Sequence, residues 1–387
     1  CYIKFCQNNF CSYLYFPFQA NKKITKNWNI IRQITVSYLI KESYYKNAVK
    51  KNLNITQFKA DQRTNCIEEY SKDNNYILLR MLGVGSSFRA NLFYHIDKEE
   101  IFVVKIPIIY DCSKLIEREI INYKNINYPL LPEIYGILKH GEQKCIIIEF
   151  INGSTLANIK KFHFLKEEKI TIIFKIMMII NYFHKNNFVY RDLKPNNIII
   201  DENNNVNIID FDNMIKYAET SSDEIHTKGF SAVYVAPEAS DGHICYENDI
   251  YSLGQMIYFI ITENDPQYDN EMLSKIFDET IYRIYEICTK NDPKKRPTIS
   301  KIMFAYYIYF QKQIKLSFNE YEKEIEFLES ILRNKDKAID YLTFASELNI
   351  QRAQAILGHY YYEGKYIKQD INKSIYYYSL ASNQNYP

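Results

Sequence analysis

None of the eight cysteines, at positions 1, 6, 11, 66, 112, 145, 245 and 288, belongs to a C-x-x-C pair. That argues against the usual structural zinc sites. With 47% hydrophobic residues the chain has enough apolar mass to bury a core without covalent staples. Scattered thiols in such a chain fit a reducing compartment, so a cytoplasmic location is expected. Long apolar runs are missing too. The longest, Thr171–Ile180, is short and is interrupted by Lys175, so no membrane span is expected. Nor is there an excess of either charge. A formal net charge of +2 leaves no electrostatic footprint for nucleic acid or an anionic lipid surface. What is plentiful is tyrosine, at 36 residues, alongside many Asn, Ile and Lys. This reads as compositional drift rather than chemistry.

The 387 residues suggest two or three domains. Residues 1–75 carry no readable motif and stay unassigned. Between 76 and 108 the pattern alternates as strands do: Tyr76–Leu79, a glycine turn, Asn91–Tyr94, then Ile101–Lys105. Residues 113–126 read as a helix, and Ile137–Leu138 and Cys145–Ile148 as two further strands. From Thr155 onward the pattern is mostly helical, with Ile170, Ile173, Met177 and Ile180 near a 3.6-residue period. A small sheet-rich lobe thus precedes a larger helical one. Near the end, Lys337-Ala-Ile-Asp-Tyr…Ala345-Ser-Glu-Leu-Asn349 recurs 36 residues later as Lys373-Ser-Ile-Tyr-Tyr…Ala381-Ser-Asn-Gln-Asn385. Such a period signals stacked helical hairpins. Between the copies a helix carrying Ala353 and Leu357 on one face is closed by Gly364. The pattern stops at Pro387, where a further hairpin would begin, so the array is expected to continue.

Phosphoryl transfer needs a cradle for phosphates, a cation, metal ligands and a group that orients the attacking hydroxyl. Leu82-Gly83-Val84-Gly85 lies between two strand-like runs, and glycines there let backbone N–H groups approach phosphate oxygens. Lys105 ends the strand that follows, and Glu119 lies on the next helix. The sharpest signal is Tyr190-Arg-Asp-Leu-Lys-Pro-Asn-Asn197. Pro195 argues against a regular helix, so this is a loop that gathers Asp192, Lys194 and Asn197. A carboxylate, an ammonium and an amide suit hydroxyl orientation, phosphate charge and metal ligation in turn. A hairpin then ends at Asp210-Phe211, bringing a second carboxylate suited to magnesium.

Taken in order, these residues resemble the protein kinase family over about residues 76–312. The resemblance implies an α+β, bilobal protein-kinase fold, with a small β-rich N-lobe and a larger α-helical C-lobe. ATP and Mg2+, or Mn2+, are the implied cofactors. Leu82, Gly83, Val84, Gly85, Ala90, Val103 and Lys105 would surround ATP, with Ile148 as gatekeeper and Glu149 and Ile151 reading the adenine edge. Lys105 paired with Glu119, Asp192 and Lys194 would be catalytic, and Asn197 and Asp210 metal ligands. Glu238, in Ala236-Pro237-Glu238, and Arg296 would form a buried ion pair. Asp249 would sit on a central helix. Lys194, two residues after Asp192, and Ser231-Ala-Val-Tyr234 resemble serine/threonine rather than tyrosine kinases. Arg191 would receive a regulatory phosphate at Thr227, and Ser231 would bridge Asp192 and Lys194. The substrates would be proteins.

Two departures stand out. Phe88 replaces the third glycine of the loop, and Asp212 replaces the glycine after Asp210-Phe211. They favour the rival reading, a pseudokinase scaffold whose repeats bind partner proteins. Residues 313–336 read as a helical linker. Residues 337–387 resemble Sel1-like repeats, relatives of tetratricopeptide repeats, on the strength of Leu357-Gly358…Tyr361…Gly364. That resemblance implies an all-α solenoid that binds a protein partner and is separable from catalysis.

Overall fold

The computed structural model describes residues 2–7, 10–15, 76–85, 87–95, 100–108, 113–129, 131–140, 143–201, 203–217, 232–266, 278–316, 322–364 and 366–384. The chain forms two compact units, residues 1–108 with 140–142, and residues 109–139 with 143–387.

In the first unit β1 (Tyr2–Gln7) and β2 (Phe10–Tyr15) form an antiparallel hairpin. Among the described residues three antiparallel strands follow: β3 (Tyr76–Val84), β4 (Phe88–His95) and β5 (Glu100–Pro107). Their β-branched and aromatic residues suit a pleated, half-buried surface. Phe93, Phe102 and Val104 are buried there. β3 carries two register irregularities, between Leu78 and Arg80 and between Met81 and Gly83, which bend it just before the glycine turn.

The second unit begins with α1 (Ser113–Asn125), which packs on β7 (Gln143–Glu149), the neighbour of β6 (Ile134–His140). Its heart is α2 (Lys166–Lys185). The Leu165 N–H donates to the Glu168 carboxylate at 2.8 Å and so starts the helix. Its buried residues, Ile170 to Asn181 and Phe183, lie all round it, as expected of a helix enclosed by others. Lys175 escapes isolation by donating to the Asn204 carbonyl at 2.9 Å. The short strands β8 (Gly153–Thr155), β9 (Phe188–Val189), β10 (Ile198–Asp201), β11 (Val206–Ile208) and β12 (Ile215–Lys216) pair antiparallel beside it, β10 between β8 and β11, and β9 with β12. Helices α3 (Tyr246–Thr262), α4 (Glu279–Cys288) and α5 (Ile299–Phe310) also belong to the lobe. α5 is tied to α2 by Tyr306, whose hydroxyl donates to the Ile170 carbonyl at 3.1 Å. The mixed strand and helix order agrees with the expected α+β class.

Among the described residues four helices follow: α6 (Glu322–Arg333), α7 (Lys335–Glu347), α8 (Gln351–Glu363) and α9 (Ile371–Ser382). α7 and α9 carry most of the two segments that recur 36 residues apart. Gly364 ends α8 with φ +70°, a conformation that glycine adopts without strain. Gly358 serves close approach, since a Cβ there would lie 3.0 Å from the Tyr378 ring. The repeats, expected to be separable from catalysis, pack against the helical lobe. Fully buried Phe304 of α5 meets Tyr341 of α7 edge-to-face at 5.5 Å, and Lys301 pairs with Asp340 at 2.7 Å. Apolar faces on both helices drive this docking of α7 on α5.

Candidate active site

The loop between β9 and β10 is shaped by a buried carboxylate 59 residues away from its start. Asp249, in the first turn of α3, accepts the Tyr190 N–H at 2.9 Å and the Arg191 N–H at 2.7 Å, and it meets His184 Nε2 at 2.9 Å. Arg191 sits at φ +70°, which costs a non-glycine residue about 1–2 kcal/mol. The two charge-assisted bonds offset that cost and hold the bend. Asp192 is delivered by this bend.

Asp192 is buried, and its carboxylate accepts from Lys194 Nζ at 2.8 Å to each oxygen. Asn197 Nδ2 donates to the same carboxylate at 2.8 Å and to the Asp192 carbonyl at 3.0 Å. Burial pushes the Asp192 pKa upward, against the pull of Lys194. The loop thus brings together the three residues singled out from sequence.

Asp210 follows β11, at φ +71°. Tyr190, whose phenol burial keeps protonated, donates to the Ile209 carbonyl just before it at 2.6 Å. Phe211 is anchored by Tyr123 at 4.8 Å and by Phe183 and Tyr190 at 6.1 Å each, ring to ring. Asn122 of α1 donates to the Phe211 and Met214 carbonyls at 2.8 and 2.7 Å. Asp212 is buried. Carboxylate oxygens of Asp192, Asp210 and Asp212 all lie within 4.8 Å of one another. Like charges gathered this closely favour a bound cation, and an all-carboxylate donor set fits a hard divalent one. Asp212 thus joins the cluster expected around Asp210.

Arg191 is half-buried and donates to the Asn213 carbonyl at 3.4 Å. Burial first, then Arg118, pushes its guanidinium pKa down. Thr227 and Ser231, the expected regulatory positions, lie outside the described residues. Glu238 and Arg296 do form the expected clamp, a fork with bonds of 2.6 and 2.9 Å. Arg296 also donates to the Lys290 and Glu247 carbonyls, at 2.7 and 2.9 Å. On β7, Ile148 is buried, while the Glu149 N–H is committed to the Glu133 carbonyl at 2.8 Å. Glu149 would therefore offer a ligand its carbonyl rather than its N–H. Glu119 of α1 is fully buried.

In the first unit, Gly83 and Ala90 face each other in the β3–β4 ladder, and Gly85 donates its N–H to the Phe88 carbonyl at 2.8 Å, closing the turn. Leu82 and Val84 are exposed. Lys105 stands opposite Ala90, with Val103 two residues earlier on the same face. Sequence reasoning missed Asn122. Its spacing from Glu119, one helical turn, would have put it on the same face of α1.

Residues 76–338 match the protein kinase domain family, and residues 351–386 match the Sel1 repeat. The chain is 26% identical over 251 residues to the carbon catabolite-derepressing protein kinase of Candida glabrata, covering 63% of this chain and 40% of that protein. It is 29% identical over 220 residues to the sucrose non-fermenting protein kinase 1 of Fusarium virguliforme, covering 55% and 31%. It is 29% identical over 188 residues to serine/threonine-protein kinase C of Synechocystis, covering 46% and 33%. The chain therefore spans 40% or less of the length of each of these relatives.

Proposed function

The chain belongs to the protein kinase family, and we propose that it transfers the γ-phosphoryl group of ATP to serine or threonine hydroxyls of protein substrates. One observation carries this reading: Asp192 is held by Lys194 and Asn197 while its oxygens lie within 4.8 Å of those of Asp210 and Asp212. In the proposed step Asp192 orients the substrate hydroxyl and accepts its hydrogen. The hydroxyl oxygen bonds to the γ-phosphorus as the bond to the β-phosphate oxygen breaks, and ADP leaves. Lys194 turns its ammonium from Asp192 toward the charge on the transferring group. Asn197, Asp210 and Asp212 would hold magnesium or manganese, which neutralises phosphate charge when bound. Lys105 and Glu119 keep the catalytic roles that the family pattern implies, and Leu82, Gly83, Val84, Gly85, Ala90, Val103 and Lys105, with Ile148, Glu149 and Ile151, serve ATP. Phosphorylation at Thr227, read by Arg191, regulates the enzyme, and Ser231 assists Asp192 and Lys194.

The serine/threonine preference rests on Lys194 two residues after Asp192, and on a relative whose name carries it. The Sel1 repeat region binds a protein partner. Exposed Ile375, Tyr376 and Tyr378 on α9 supply apolar surface for it. No helix among the described residues is long and apolar enough to cross a membrane. Cys145, Cys245 and Cys288 are free thiols, which supports a cytoplasmic setting.

The test is phosphate transfer from radiolabelled ATP to a generic basic protein, comparing wild type with Asp192→Asn. Transfer by wild type and a loss of about a hundredfold or more in the variant are expected. No transfer by correctly folded wild type would favour the pseudokinase scaffold.

A further inference from the structure

Phe88 occupies a position that the family pattern gives to glycine, and the structure assigns its ring a definite place. Along β4, Phe88, Ala90 and Leu92 alternate onto one face. Their register partners on β5 are Pro107, Lys105 and Val103, which share that face. It is the face whose Ala90, Val103 and Lys105 are proposed to serve ATP. The Lys105 ammonium lies 4.9 Å from the centroid of the Phe88 ring. Both side chains are buried, Phe88 at 5% and Lys105 at 7% exposure. The ring is not on a loose tip. Gly85 donates to the Phe88 carbonyl at 2.8 Å, and Ile108 to the Ser87 carbonyl at 3.0 Å, so both ends of the turn are fastened. Phe88 is not among the residues with positive φ, so nothing in its backbone requires glycine.

A lysine ammonium over an aromatic face is attracted by the ring's negative charge density, most strongly where water is scarce. Phosphate oxygens attract the same ammonium more strongly. Glycine would leave that space to backbone alone. We propose that Phe88 is a gate on the phosphate subsite, its ring holding Lys105 until the phosphates of a nucleotide displace it. The gate deepens the kinase reading and rests on it. It makes Phe88 a positioning residue whose cost falls on phosphate-bearing ligands alone. Adenosine carries none and makes no demand on Lys105, whereas ATP must separate the ammonium from the ring.

Calorimetric titration of the full chain with ATP and with adenosine, at one fixed magnesium concentration, tests this. Phe88→Leu keeps most of the volume and removes the ring face. Phe88→Ala removes both, and thermal melts report whether either variant still folds. The Kd for ATP is expected to fall about threefold in Phe88→Leu and about tenfold in Phe88→Ala. The Kd for adenosine should change less than about twofold in both, because the ring competes only with phosphate. Unchanged ATP affinity in Phe88→Leu overturns the role of the ring face, whatever Phe88→Ala does. Parallel shifts for ATP and adenosine overturn the gate and leave Phe88 as packing. If neither wild type nor variants bind ATP at all, the kinase reading itself falls and the gate with it.

Discussion

Tyr190 donates its phenol hydrogen to the Ile209 carbonyl at 2.6 Å, joining the loop that carries Asp192 to the residue before Asp210. The ring is fully buried between Phe183 and Phe211, so removing the hydroxyl leaves the half-buried Ile209 carbonyl without this donor.

Tyr190→Phe is expected to lose about 1–3 kcal/mol of stability. Phosphoryl transfer should fall with it, because Asp192 and Asp210 lose a shared tether. Urea denaturation midpoints and initial rates check this, and identical midpoints would mean that the aromatic packing alone holds the loop.

Asp212 adds a third carboxylate to the cluster around Asp210. The wild-type rate should rise steeply with magnesium or manganese concentration, and Asp212→Gly should flatten that dependence without abolishing transfer. Metal titrations of initial rate decide the matter. Superimposable curves would assign Asp212 no part in metal binding.

The Glu238–Arg296 clamp should be sensitive to acid. Burial alone would raise the Glu238 pKa, but the Arg296 fork and the Asn248 amide more than offset it, leaving the carboxyl below its ordinary 4.5. A carboxylate whose pKa is lowered by folding stabilises the protein above the unfolded pKa, and that contribution is lost as pH falls through the folded value. Glu238→Gln should therefore melt well below wild type at pH 7, with a gap of about 3 kcal/mol or more for a broken buried pair. The gap should narrow progressively as the pH is lowered below 4.5. A constant gap across that range would mean that Glu238 acts through packing instead.

Ending the chain after residue 320 should destabilise the catalytic lobe. It would uncover Phe304 and break the Lys301–Asp340 pair at 2.7 Å. A melting temperature lower by about 5 °C or more is expected, matching the loss of a few kcal/mol. An unchanged melt, with full activity, would mark the repeats as a separable module.

Much of the site could be read from the chain because its chemistry is local. Asp192, Lys194 and Asn197 fall within six residues, and a proline in the same stretch identifies a loop. The strand run ending at Lys105, the carboxylate after the hairpin, and the Glu238 and Arg296 segments follow in the expected order. The 36-residue recurrence likewise announced helical hairpins, which α7 to α9 form.

By itself, then, the sequence determined which groups the protein possesses, their order, and the period-2 and 3.6-residue patterns that commit each segment to strand or helix. Tertiary structure decided what those groups touch. Asp249 shapes a loop 59 residues upstream of it, and Asn122 reaches the Phe211 carbonyl across 89 residues. Strand register turned Phe88 toward Lys105, and a one-residue slip would have sent it to the opposite face. The docking of α7 on α5 depended on which apolar face found a partner. Contacts of this kind arise from packing between distant segments, and no local pattern encodes them, because each face can bury itself against any surface of the right shape.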